Sequence, residues 1–231
     1  MKILAIETAT EACSAALLID GNVLERYQVQ PRMHSQLILP MMDELLAEAG
    51  TPLTALDALA FGAGPGAFTG VRIAAGVAQG AAFAADLPVL PISTLAALAQ
   101  RGWRELGWRR LLPAYDARMQ EVYWGAYAVD ADGLVAAQVA DEVAAPDRVT
   151  LPDGSGWKGV GVGWGSYRSL LEQRLGEAVD SVNVDLLCSA HDVALLGATA
   201  FARGEAVAAE QAAPVYLRDK VASRPGESGT G

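Results

Sequence analysis

Residues 3–24, ILAIETATEACSAALLIDGNVL, are echoed in the second half of the chain by residues 111–135, LLPAYDARMQEVYWGAYAVDADGLV. Laid over one another, the two stretches put Asp116 on Glu7 and Gln120 on Glu11, and each carries an Asp-Gly pair where the second strand should turn. An apolar strand ending in an acid, a four-residue polar turn and an apolar return strand therefore occur twice, as in a duplicated lobe. Two unrelated hairpins would share the same pattern by chance, so the repeat stands beside that reading.

Outward from the first hairpin, NVLERYQV from Asn22 continues a three-strand meander. Residues 34–49 place Ile38, Met41, Met42, Leu45 and Leu46 at helical spacing, with Pro40 inside the pattern and Gly50 as a stop. A strand over 56–61, a glycine-rich loop and a helix over 71–85 follow, with Thr69 as the expected N-cap. A short strand after Pro88 leads to a helix capped by Ser93 and running to about residue 105. In the second half, 157–163 reads as a glycine-rich strand and 166–175 as a short helix. Residues 189–203 form a helix capped by Ser189, with Asp192 as an acidic relative of the capping box. The strand and helix order gives an α/β chain, with one lobe over 1–104, a smaller one over 105–221 whose final helix returns toward the first, and a disordered tail over 222–231.

The loop GAGPGAFTGVR, residues 62–72, either cradles a phosphate or lets two backbones approach closely. It lacks the Gly-Lys-Ser/Thr ending of a Walker loop and the final spacing of a dinucleotide fingerprint. Its helix N-terminus and Arg72 would still suit an anion. Beyond the loop, Gly76 and Gly80 lie four apart with Ala74, Ala75, Ala78, Ala81 and Ala82 around them. Glycine inside a helix costs roughly 1 kcal/mol against alanine, so a close helix neighbour, from this chain or another, should offset it.

Among 231 residues, 52% are hydrophobic, enough for a large core or two lobes. The formal net charge of −10 argues against a surface built to grip nucleic acid. The basic, aromatic segment QRGWRELGWRRLL reads as a helix end where arginine stems cover tryptophans rather than as an RNA platform. Two cysteines make no disulfide framework, and no long apolar run suggests a membrane span, so a soluble cytoplasmic protein is expected. The two histidines, His34 and His191, offer no metal-ligand spacing, and neither Cys13 nor any serine elbow reads as a nucleophile.

Several segments together resemble one family: ILAIETATEACSAAL, HSQLILPMMDELL, GPGAFTGVRIAAG, STLAALAQ, DARMQEVYW and PVYLRDKVA. They are similar to the bacterial TsaB (YeaZ) family, which takes part in forming N6-threonylcarbamoyladenosine at position 37 of tRNA. Ala67 stands where the family usually has serine, and Glu7 where it commonly has aspartate. The resemblance implies an actin, sugar kinase and Hsp70-like (ASKHA) fold of two related lobes. It also implies a non-catalytic paralogue of TsaD, without metal or cofactor, and the acidic net charge adds the expectation of no direct tRNA binding. Such a protein dimerises with TsaD or, alone, with itself; the pair recruits TsaE with its ATP, and TsaC supplies threonylcarbamoyl-adenylate.

On that reading Gly64, Gly66, Gly70 and Val71 set the angle of a helix whose Ala74, Ala78 and Ala82, with Ile38, Met41 and Leu45, would meet TsaD. A bulky charged residue at 78 would then abolish the heterodimer and leave the monomer folded. Glu7, Thr8, Asp116 and Arg118 would mark a vestigial nucleotide cleft. The alternative is an independent nucleotide-binding ATPase or kinase-like enzyme using Glu7 and Asp116.

Overall fold

The computed structural model describes residues 1–218, so the expected tail lies outside the described residues. Strands β1 (Lys2–Glu7), β2 (Ala12–Ile19) and β3 (Asn22–Val29) form the antiparallel meander. Asp20 and Gly21 turn it with both φ angles positive, as a two-residue hairpin loop requires. Helix α1 (His34–Glu48) buries Ile38, Met41, Met42 and Leu45 on one stripe. Pro40 sits on its exposed side, so the carbonyl that loses its donor there faces water. Then come β4 (Ala58–Gly64), α2 (Phe68–Ala85), β5 (Val89–Ser93) and α3 (Thr94–Leu106). The second half supplies β6 (Arg110–Arg118), β7 (Glu121–Val129), β8 (Val135–Ala144), β9 (Trp157–Val160), α4 (Val162–Leu175), β10 (Val179–Asn183) and α5 (Ala190–Ala202).

The first sheet runs β3-β2-β1-β4-β5 and the second, taken in the same sense, β8-β7-β6-β9-β10. In each, the meander strands pair antiparallel and the remaining two pairs are parallel. The duplication thus extends from the two hairpins to the whole sheet, giving the two-lobed α/β architecture of the actin, sugar kinase and Hsp70 class. The second hairpin is tighter than the four-residue turn expected of it. Arg118 still pairs with Glu121, and Arg118, Met119 and Gln120 all take left-handed φ angles of 54° to 61°.

The helices are exchanged between lobes. α5 packs across β1, β2, β4 and β5, whereas α3 packs on β6, β7 and β8. The result is a layered stack: α1 and α2, the first sheet, α5 with α3, the second sheet, and α4. Residue 104 lies within α3, whose buried side chains share one core with both sheets. On the second sheet's other face, under α4, Trp124 and Trp164 stand 5.9 Å apart at a tilt, an arrangement aromatic pairs favour.

Three local expectations are corrected. Thr69 does not cap α2; the helix begins at Phe68 after Ala67, without a side-chain cap. The loop's own packing fixes the helix start there, through an Ala67 N–H that donates to the Ala9 carbonyl at 2.8 Å. The fourth helix starts at Val162 rather than 166 and is irregular at Tyr167. Glycines at 161 and 163 let it press on Ala114, where added Cβ atoms would fall 2.6 and 2.8 Å from backbone. Ser189 does cap α5, accepting from His191 N–H at 3.2 Å, but Asp192 is no capping-box partner.

The fully buried Asp192 carboxylate instead accepts two hydrogen bonds from Arg104 of α3, at 3.0 and 2.8 Å. Burial lifts Asp192 to about 6 while Arg104 pulls it back toward ionisation. Removing one partner of a buried ion pair typically costs about 3–5 kcal/mol. Because Arg104 keeps some exposure and Asp192 can take up a proton, Arg104→Ala is expected to cost about 2–3 kcal/mol at neutral pH, with the loss shrinking in mild acid. Urea unfolding at two pH values checks this; an unchanged midpoint would mean that the pair does not hold α3 to α5.

Candidate functional site

The glycine loop lies on the turn between β1 and β2, and it does so backbone to backbone. A Cβ added at Gly70 would stand 2.0 Å from the Thr8 carbonyl oxygen, and one at Gly66 2.6 Å from the Ala9 side chain. Thr8 Oγ1 donates to the Gly70 carbonyl at 2.7 Å, and the Thr94 hydroxyl donates to the Pro65 carbonyl. Gly64 carries a φ of +116° and a cis bond to Pro65. His34 secures the same turn from α1: its Nε2–H faces the carbonyls of Thr10 at 2.9 Å and Ala12 at 3.2 Å. The side chain is therefore spent as a structural donor.

Between the lobes lies an open cleft of about 1010 Å³, bordered by Thr8, Thr10, Glu11, the loop from Pro65 to Val71, Asp116 and Arg118. Of the four expected cleft residues, the structure brings Thr8, Asp116 and Arg118 to its wall. Asp116 is already engaged there, accepting from Arg118 N at 2.7 Å, Arg118 Nη1 at 3.1 Å and the Tyr167 hydroxyl at 3.3 Å. Glu7 is not in the cleft, which corrects its reading as a magnesium or base position. The strand alternation turns it inward to the core, where it is fully buried over Gly62; a Cβ at Gly62 would lie 1.8 Å from Glu7 Oε2.

Glu7 Oε1 accepts from Ala9 N–H at 2.5 Å, while Oε2 has no hydrogen-bond partner. The Cys188 thiol, which donates to the Thr94 carbonyl at 3.6 Å, favours the charged form by less than burial opposes it. Burial dominates and raises the carboxyl from 4.5 to about 7. Between those values the folded chain keeps a proton that the unfolded chain has lost, so this group's contribution to stability falls as pH rises from 4.5 to about 7 and is level above. Glu7→Gln is accordingly expected to gain on the parent chain as pH rises. Denaturant midpoints of both at about pH 5 and about pH 8 test it; parallel shifts would show that Glu7 does not titrate in this range.

Ile38, Met41, Leu45, Ala74, Ala78 and Ala82, some of which the sequence reading places at an exposed partner face, are all buried within the first lobe, as is Val71. They form the inward stripes of α1 and α2, where small side chains bring α2 close to the sheet. The outward face of α2 carries Arg72, Gly76, Gln79, Gly80 and Phe83 instead. Added Cβ atoms at Gly76 and Gly80 would meet nothing within 4 Å, Phe83 is 69% exposed, and Leu39 on neighbouring α1 is 51% exposed. The sequence signal for Phe83 was its place one turn beyond Gly80.

The arginines of the basic segment are engaged within the chain. Arg101 bonds Glu105 and lies 4.7 Å over Tyr27; Arg109 and Arg110 lie 4.9 and 5.4 Å over Trp103 and Trp157. No helix among the described residues is long and apolar enough to cross a membrane.

A family model described as "TsaD: tRNA N6-adenosine threonylcarbamoyltransferase" matches residues 28–224. The chain is 46% identical to the tRNA threonylcarbamoyladenosine biosynthesis protein TsaB of Escherichia coli (strain K12), over 96% of both chains. It belongs to the TsaB family.

The Haemophilus influenzae TsaB is 38% identical over 96% of this chain and 95% of its own. The solved structure of YeaZ from Pseudomonas aeruginosa superposes with a TM-score of 0.87 at 51% identity, covering 94% of this chain and 99% of that one. Family membership, the two-lobed fold and the glycine loop's backbone packing therefore belong together in this TsaB-family chain.

Proposed function

We propose that this chain is a non-catalytic partner subunit in the formation of N6-threonylcarbamoyladenosine at position 37 of tRNA, working in the cytoplasm by docking on the catalytic subunit TsaD. The observation that carries the reading is the outward face of α2. Two glycines one turn apart, each costing the helix roughly 1 kcal/mol, have no neighbour in the monomer that needs them small. Phe83, three residues beyond Gly80, is largely exposed, as is Leu39 on α1. Such a face lets a partner helix approach closely and offers apolar anchors beside it.

The family relationship supports the pathway. The burial of Glu7 and the engagement of His34 with backbone carbonyls support a structural rather than chemical role for residues around the glycine loop. The same face serves self-association when TsaD is absent, and the pair offers TsaE and its ATP a joint surface, with TsaC delivering threonylcarbamoyl-adenylate.

A second reading, a nucleotide-binding enzyme of the same fold, is favoured by the cleft alone; magnesium-dependent nucleotide binding by the isolated chain would support it. A reconstituted tRNA modification assay with TsaC, TsaD and TsaE separates the two. Modification that depends on adding this chain fits the partner reading, and full modification without it contradicts that reading.

A further inference from the structure

After α5 the chain runs back along the edge of the first sheet. Val207 bridges Val89 at the edge of the first sheet, with reciprocal hydrogen bonds of 2.8 and 2.9 Å. Gln79 of α2 then donates to the Glu210 carbonyl at 3.3 Å. Val215 N–H donates to the Ala63 carbonyl at 2.8 Å, next to Gly64, where an added Cβ would stand 3.0 Å from the Val215 oxygen. Three residues later Arg218 has reached the other lobe: Nη2 donates to the Ala117 carbonyl at 3.2 Å and to the Glu121 carboxylate, and Nη1 lies 3.5 Å from Met119 Sδ. Val215 to Arg218 border the cleft together with Pro65 and Gly66 of the first lobe and Ala117 to Met119 of the second.

The anchor point on the second lobe is itself unusual. Arg118, Met119 and Gln120 are three consecutive non-glycine residues in the left-handed region. Such backbone persists only where the surroundings over-determine it. Asp116 holds the hairpin tip from within its own lobe, through Arg118 N–H and guanidinium. Arg218 holds it from outside, on a carbonyl, a carboxylate and a sulfur at once.

We propose that residues 207–218 form an interlobe strap whose clasp is Arg218, and that this strap sets how far the cleft between the glycine loop and the β6–β7 hairpin opens. The device resides in the isolated chain and does not depend on the partner reading. The two lobes are also joined through the exchanged helices α3 and α5, so releasing the clasp frees the cleft rim without unfolding either core.

The test uses the full chain with Arg218→Ala and Glu121→Gln, read by hydrogen exchange at 117–120 and by the distance between spin labels on cysteines placed at Ser35 and Ser166. These two exposed residues line the cleft from opposite lobes, and the native cysteines are buried. Arg218→Ala is expected to speed exchange of the hairpin amides by about tenfold or more, as expected for loss of a local restraint, and to lengthen and broaden the label distance, with the thermal midpoint nearly unchanged. Glu121→Gln should move both readouts the same way by less. A folded Arg218→Ala chain with parental exchange and distance would overturn the strap. Should that variant fail to fold, Glu121→Gln, which keeps the side chain's shape, decides by the same two readouts: movement supports the clasp and its absence overturns it.

Discussion

Gly80→Glu is expected to weaken association with TsaD by about 100-fold or more while leaving the isolated chain at least as stable as the parent. The two effects have separate causes. In the monomer, position 80 faces open space, and replacing glycine by glutamate in an exposed helix interior gains several tenths of a kcal/mol up to about 1. For a chain of this size that corresponds to a thermal midpoint higher by about 1–4 °C. In the complex, the same side chain would stand where a partner helix must come close and would bury a charge without a partner, costing about 3 kcal/mol or more. Titration with TsaD and a thermal melt check the two halves. Undiminished affinity would take this face out of the interface. The charged substitution at Ala78 expected from sequence is not an equivalent test, because Ala78 is fully buried and a charge there would unfold the first lobe.

Gly70→Val is expected to cost more than about 4 kcal/mol, the range reserved for severe core or backbone conflicts. Gly70 and Gly80 belong to one helix and respond in opposite ways. At Gly70 the added Cβ meets the Thr8 carbonyl oxygen at 2.0 Å, and neither partner can yield, since the loop and the β1–β2 turn are tied by hydrogen bonds at Ala67 N–H and Thr8 Oγ1. Urea unfolding should show loss of most of the stability or no folded chain. A drop of less than about 1 kcal/mol, the scale of an ordinary substitution, would mean that the loop does not depend on this close approach.

Much of the fold was legible because it is local. The repeated hairpin, the stripe of Ile38, Met41, Met42 and Leu45, and the Ser93 and Ser189 caps each announce themselves within a few residues. The errors share one origin, which is that long-range packing decides what local pattern leaves open. A stripe of alanines has the same spacing whether it meets its own sheet or a partner, and here Ala74, Ala78 and Ala82 meet the sheet. Glu7 ends a strand as a cleft acid would, but its side chain alternates inward. Asp192 sits where a capping box would put it, yet Arg104, 88 residues away in sequence, claims it. Arg218 carried no signal at all, since its partners Ala117, Met119 and Glu121 lie about a hundred residues earlier and only the folded chain brings them together.

The most direct test of the central claim is the light-scattering mass of this chain mixed in equal amounts with TsaD from the same organism, after size-exclusion chromatography. The account predicts a one-to-one heterodimer that Gly80→Glu abolishes. Separate elution of the two chains, or a heterodimer equally populated with the variant, would contradict it.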